Sequence, residues 1–164
     1  MTREAHEFDR RSPALKLIRI EEGEDEWRSE WLLAIQTLMQ RSDGTVQRVG
    51  PVMLGIRYHE SFLAEAPHPF EIATIMLPPR VHHPNAAPDG TYCLGRPEAG
   101  LSLEFILTQA WNGLTFNMQT VNTQNGDILN PAAAQYVRVH ADRLPLTERG
   151  MFEAPDFDEM TANK

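Results

Sequence analysis

The chain carries one cysteine, Cys93, within the stretch HHPNAAPDGTYCLG at residues 82–95. A cysteine thiolate can attack an acyl thioester near neutral pH and leave again when an amine attacks, so a well-placed thiol suits acyl transfer. Asn85 stands eight positions before it, with Asp89-Gly90 as a turn between them. The Asn85 amide is a neutral donor suited to the oxyanion that amine attack creates. Each residue also has a structural reading: a lone cysteine as a small apolar filler, and Asn85 as a turn residue bonding its own backbone. No sequential neighbour of Cys93 is an obvious base. A zinc site could draw on His82, His83 and Cys93, but adjacent histidines on an extended chain point in opposite directions and no second cysteine assists. No metal and no cofactor are therefore expected.

These residues must be positioned by the elements around them. Pro67, Pro69, Pro78, Pro79, Pro84 and Pro88 predict an irregular path over residues 78–100, set by proline φ angles rather than by ladder hydrogen bonds. Before it, residues 52–58 alternate as a strand and residues 72–77 read as a short buried strand. After it, Leu103, Ile106, Leu107, Ala110, Trp111 and Leu114 form the stripe of a surface helix, with Ser102 as N-cap and Glu104 in the first turn. Asn130-Pro131 starts a second helix running towards Arg143. In the front third, Ser12-Pro13 is a break, residues 15–20 fit a strand or an amphipathic helix, and residues 21–26 fit a solvated connector. Residues 30–40 also fit either element, and Ser42-Asp43-Gly44 is a turn under both readings. Strands followed by helices predict an α+β fold.

Composition bounds the function. With 164 residues, 41% hydrophobic and 23% charged, one ordinary globular domain is expected. One cysteine excludes an intrachain disulfide framework. The net charge of −8 is uneven: residues 1–20 are net +2, residues 21–30 net −5, residues 31–140 net −2 and residues 141–164 net −3. No basic stripe of the kind that grips phosphates is present, so nucleic acid is not an expected partner. No apolar run approaches a bilayer span, so a membrane is not expected either. With no apolar signal core and an unpaired thiol, the cytoplasm is the expected compartment.

Residues 50–143 resemble the ubiquitin-conjugating enzyme family. His83-Pro84-Asn85 matches its His-Pro-Asn tripeptide, and Cys93-Leu94 follows at the family's spacing. His68-Pro69-Phe70 is similar to its Tyr-Pro-Phe, thirteen residues before the tripeptide. Asp127-Ile128-Leu129-Asn130-Pro131 resembles the acidic residue, apolar pair and proline-started helix that close the active-site groove. The resemblance implies an antiparallel meander sheet with C-terminal helices packed on it. Residues 1–45 would be a divergent N-terminal part (a helix and the first strands), residues 46–145 the core with the active-site loop, and residues 146–164 an acidic tail.

By the same resemblance, Cys93 would carry a ubiquitin-like protein as a thioester, Asn85 would stabilise the oxyanion, and Asp127 would orient and desolvate the incoming amine. His83 and Pro84 would support the loop, and Phe70 would remain from a partner-binding surface. Asn125-Gly126-Asp127 also reads as a plain surface turn, and Tyr92 as packing. The implied partners are a ubiquitin-like protein, an activating enzyme and a target protein. His82, Gly95, residues 71–73 and residues 98–100 depart from the family pattern, the last two segments where eukaryotic members meet their ligases, which argues against use of an ordinary ligase. The divergence is closer to bacterial relatives found in operons with an activating enzyme and a ubiquitin-like protein, several linked to antiphage defence. The alternatives are a non-catalytic member that binds a ubiquitin-like protein as a scaffold, and a cysteine hydrolase, for which His59, His68 and His140 have no motif placing them beside Cys93. Only Lys16 and Lys164 stand against thirteen arginines. That bias fits either avoidance of self-modification or an arginine-biased genome.

Overall fold

Apolar and polar residues alternate along two eight-residue runs, and these pair to make the middle of the sheet. The computed structural model describes residues 1–117, 121, 128–147 and 149–153. In chain order the elements are α1 (Thr2–Arg11), β1 (Leu15–Glu22), β2 (Glu26–Leu33), β3 (Thr37–Gln40), β4 (Val46–Val49) and β5 (Val52–His59). β6 (Ala73–Leu77), β7 (Thr91–Tyr92), α2 (Leu103–Leu114) and α3 (Pro131–Val139) follow. The fold is α+β, with a five-stranded antiparallel sheet in the order β1-β2-β5-β6-β7 and a separate β3-β4 hairpin. None of the helices among the described residues is long and apolar enough to cross a membrane.

β2 and β5 pair without interruption from Glu26↔His59 to Leu33↔Val52. One face presents Trp27, Trp31 and Leu33 beside Val52, Leu54, Ile56 and Tyr58, all buried. Ser29 lies on the same face, and its Oγ accepts the Trp31 Nε1–H at 2.7 Å, so the indole is buried without an unpaired donor. Ala5 and Phe8 of α1 and the apolar stripe of α2 join these residues in one cluster. Each large side chain so buried contributes about 1.5–3 kcal/mol. A second, smaller cluster joins Leu38 of β3, Phe116, Val121, Val137 of α3 and Leu144. The β3-β4 hairpin reaches the irregular stretch through the Met39↔Val81 bridge and the His82 N–H, which donates to Leu38 O at 2.7 Å.

Both helices expected from their stripes and caps form. Ser102 Oγ accepts from Phe105 N at 3.2 Å, and Asn130 Oδ1 accepts from Ala133 N at 3.0 Å. α3 ends at Val139, and a short 3-10 turn, Ala141–Arg143, completes the path to Arg143. Several boundaries differ from expectation. Residues 15–20 are strand, and the strand runs on through Glu21 and Glu22, whose side chains are exposed on an edge strand and need no connector. Only Gly23–Asp25 turn, closed by Gly23 N–H to Glu26 O at 2.7 Å. Residues 30–40 are not one element: β2 ends at Leu33, and β3 begins at Thr37 in the other sheet.

The stretch expected to begin an acidic tail folds back over the body. Met151 is 4% exposed and belongs to the main cluster. Arg149 O accepts the Trp111 Nε1–H at 3.3 Å, Met151 O accepts from Ser12 Oγ, and the Phe8 and Phe152 rings lie 5.7 Å apart. Residues 149–153 thus join α1 to α2. Met151→Ala should cost about 2–4 kcal/mol in urea unfolding, by lost transfer energy and the cavity left. It should also speed hydrogen exchange in α1 first; unchanged stability would show that the strap adds nothing.

Candidate functional site

The spacing from Asn85 to Cys93 is the length of a hairpin. Cys93 N–H donates to Asn85 O at 2.8 Å, Ala86 bridges Tyr92, and Ala87 N–H donates to Thr91 O at 2.9 Å. Residues 85, 86 and 87 therefore face 93, 92 and 91, with residues 88–90 as the turn. Asp89 Oδ1 accepts Thr91 N–H at 2.9 Å, and Gly90 N–H donates to Ala87 O at 3.0 Å. Gly90 has φ +93°, and a Cβ there would lie 2.4 Å from Ile75 O, so only glycine allows β6 to approach this closely. The returning strand of the hairpin is β7, the fifth strand of the main sheet.

This register decides where the side chains go. Directly opposed residues share a face of an antiparallel pair, so Asn85 and Cys93 project on the same side and Ala86 and Tyr92 on the other. Ala86 and Tyr92 enter the main cluster, whereas Cys93, 6% exposed, belongs to neither cluster. One rung is unusual. In a closed pair the Asn85 N–H would donate to Cys93 O. It donates instead to His83 Nδ1 at 3.1 Å, and the Asn85 side chain supplies the missing donor, Nδ2 to Cys93 O at 3.4 Å. The turn reading of Asn85 and its nearness to Cys93 therefore hold together.

His83 is fully buried, and both ring nitrogens are engaged. Nδ1 accepts from Asn85 N, and Nε2 donates to Gly113 O at 2.9 Å, which requires the neutral Nε2–H tautomer. Its ring lies 4.7 Å from Phe116 and 5.6 Å from Tyr92. Pro84 O accepts from Leu129 N at 3.0 Å and Asn130 N at 3.1 Å, at the start of α3. The loop is thus fastened to the end of one helix and the beginning of another.

α2 ends in a Schellman arrangement, with Phe116 N–H on Gly113 O at 2.8 Å and Asn117 N–H on Asn112 O at 2.9 Å. The left-handed position usually given to glycine is held by Phe116, at φ +57°. That conformation costs about 1–2 kcal/mol. The cost is offset by complete burial of the phenyl ring against His83. Gly113 and Phe116 were not singled out by the sequence. A glycine one residue before the end of an apolar-faced helix was the available signal of close approach by a neighbour.

The other candidates are dispersed. Phe70 is half-buried in a shallow groove on the outer face of the sheet, with Arg19, Arg57 and Met76; its N–H reaches His68 Nδ1 at 3.5 Å. Asp127 lies outside the described residues. His82 turns away from His83: its ring meets Tyr136 at 5.4 Å, and its Nδ1 is buried and, among the described residues, has no hydrogen-bond partner. Among the described residues no group of three His, Cys, Asp or Glu could hold a metal ion. His59 Nδ1 accepts from Ser61 N at 3.1 Å, and the His140 ring packs on Tyr136 at 4.5 Å.

Burial lowers the His83 pKa from its ordinary 6.5 to about 4, against the opposing bond to Gly113 O and with a further push from His82. Burial lowers that of His82 also. The unfolded imidazole takes up a proton below 6.5 and the folded one only near 4, so the unfolded state binds more protons across that window. Stability should hold above pH 6.5 and fall as pH drops towards 4, by about 3 kcal/mol for His83 in full. Urea unfolding between pH 7 and 4.5 should show this slope, reduced in His83→Asn; equal slopes would remove His83 as its source.

Against protein-family models, curated proteins and solved structures the chain has no match, so its functional reading stands on residues 83–93 and on what holds them.

Proposed function

We propose that the chain is a divergent ubiquitin-conjugating-type carrier, with a ubiquitin-conjugating-enzyme-like fold, acting in the manner of the bacterial antiphage-defence relatives. The observation that carries this reading is the hairpin register, which sets the Asn85 amide beside Cys93 on one face of a loop fixed at both ends. In the first step the Cys93 thiolate attacks the thioester carbonyl joining a ubiquitin-like protein to its activating enzyme. A tetrahedral oxyanion forms and collapses, the activating enzyme's thiolate leaves, and the acyl group rests on Cys93. In the second step a target amine, oriented and desolvated by Asp127, attacks that thioester, loses its proton to solvent, and expels the Cys93 thiolate.

Asn85 serves both steps by one bond exchange. Its bond to Cys93 O is 3.4 Å long, at the outer edge of hydrogen bonding, so that bond is cheaply exchanged for one to a developing oxyanion nearby. His83 is not the base, because both its nitrogens are committed within the fold. Its work is to hold the Asn85 backbone, leaving the Asn85 side chain as the donor.

One observation favours a second reading, the scaffold: Cys93 is only 6% exposed. Incubation with the cognate activating enzyme, its ubiquitin-like protein and ATP separates the two. A thiol-sensitive adduct should form on the wild type and be absent from Cys93→Ala; no adduct with an active cognate pair would leave the scaffold. Asn85→Ala should still charge, and should discharge onto lysine about a hundredfold more slowly, the usual loss for one oxyanion donor. Unimpaired discharge would confine Asn85 to the hairpin rung.

A further inference from the structure

Tyr92 fills the space under the end of α2 in a way that leaves no slack. Its hydroxyl is buried and, among the described residues, has no hydrogen-bond partner. What it does have is room at one residue. A Cβ on Gly113 would lie 1.9 Å from the Tyr92 hydroxyl oxygen and 3.2 Å from the ring carbon that bears it. A methyl group cannot stand there unless the ring retreats, and the ring belongs to a strand paired on both sides, with Ala73 of β6 and with Ala86. The helix end cannot withdraw freely either. Gly113 O accepts both the Phe116 N–H at 2.8 Å and the His83 Nε2–H at 2.9 Å.

We propose that the Tyr92 hydroxyl and the gap at Gly113 form a lock that fixes where Cys93 stands, Gly113 being a positioning residue for the thiol. The contacts close into a circuit: Gly113 O to His83, His83 to Asn85 N, Asn85 O to Cys93 N, and the peptide bond from Cys93 back to Tyr92, whose hydroxyl meets Gly113. Strand alternation makes the circuit mechanical. Tyr92 points in and Cys93 points away, so a ring pushed off α2 drags the thiol's backbone with it. The hydroxyl acts by its size, since it is the atom that meets the gap at Gly113.

A double-mutant cycle tests the lock directly. Because the chain has one cysteine, iodoacetamide reads Cys93 alone. Second-order alkylation rates against pH are measured on the wild type, Tyr92→Phe, Gly113→Ala and Gly113→Ala/Tyr92→Phe, with urea unfolding confirming which are folded. Tyr92→Phe, which removes only the oxygen, should match the wild type within about threefold, whereas Gly113→Ala should alkylate about tenfold differently with a shifted pH midpoint, or fail to fold. The double variant should fold and return to the Tyr92→Phe rate and midpoint. The lock is overturned if Gly113→Ala keeps the wild-type rate and midpoint, if Tyr92→Phe is as disturbed as Gly113→Ala, or if the double variant is not rescued. A final arm rests on the carrier reading: charging by the activating enzyme should fall about a hundredfold in Gly113→Ala and recover in the double variant. Normal charging of Gly113→Ala would overturn the lock. Closure of the alkylation cycle without any charging of the wild type would overturn the carrier and leave the lock standing.

Discussion

The structure around Cys93 depends on one buried imidazole. His83 occupies a site with no access to water, which disfavours its charged form and leaves one donor and one acceptor to satisfy. The acceptor takes the Asn85 N–H and the donor takes Gly113 O, so the ring can settle only where a loop amide and a helix-end carbonyl meet. An unpaired polar group so buried would cost about 1–3 kcal/mol at each nitrogen. The bonds therefore constrain the backbone as much as the side chain. The diverted Asn85 N–H is the consequence with most chemical interest, because it leaves the amide side chain to complete the rung at Cys93.

The same few residues are the seam between two cores. Tyr92 and Ala86 belong to the larger cluster under the sheet, while Phe116 and Tyr136 belong to the smaller one between α3 and the β3-β4 hairpin. His83 lies between Tyr92 and Phe116, His82 packs on Tyr136, and Pro84 O ties the start of α3. A loop at such a seam is held from both sides. It needs no regular secondary structure before the hairpin, which explains how a proline-rich path becomes rigid. Arg48 extends the arrangement, its guanidinium donating to Arg143 O and Leu144 O at 3.2 Å and fastening β4 to the chain beyond α3.

How much of this was legible follows from the range of the forces involved. The α2 stripe, the Ser102 and Asn130 caps and the β5 alternation are local signals, and the elements they imply are present. The spacing from Asn85 to Cys93 was legible as a number, but its cause, a register of opposed residues, needed the bonds. The front third was ambiguous because residues 15–20 are few and residues 30–40 straddle the end of β2 and the whole of β3, and strand and helix periods look alike over such short pieces. α1 is amphipathic, but its apolar residues gain their meaning from Met151 and Phe152, far along the chain. Gly113 and Phe116 illustrate the limit most sharply. Nothing within a few residues of either says that a tyrosine hydroxyl or a histidine ring will arrive there.

The low exposure of Cys93 and the rigidity of its loop have a common origin, and that bears on what the thiol can do. A thiol on a loose loop would be open to oxidants and to any electrophile, with its approach angle averaged over many states. Held just beyond β7, where its neighbour Tyr92 packs under α2, it presents little surface. On the proposed carrier reading, transfer between thioesters is nearly balanced in energy, so the protein would need to supply little chemical activation. What such a carrier has to supply is geometry, and a displacement of about 1 Å can cost a hundredfold in such a step. On that reading the bracing of residues 83–93 against α2 and α3 is what would serve the reaction, position standing in for activation.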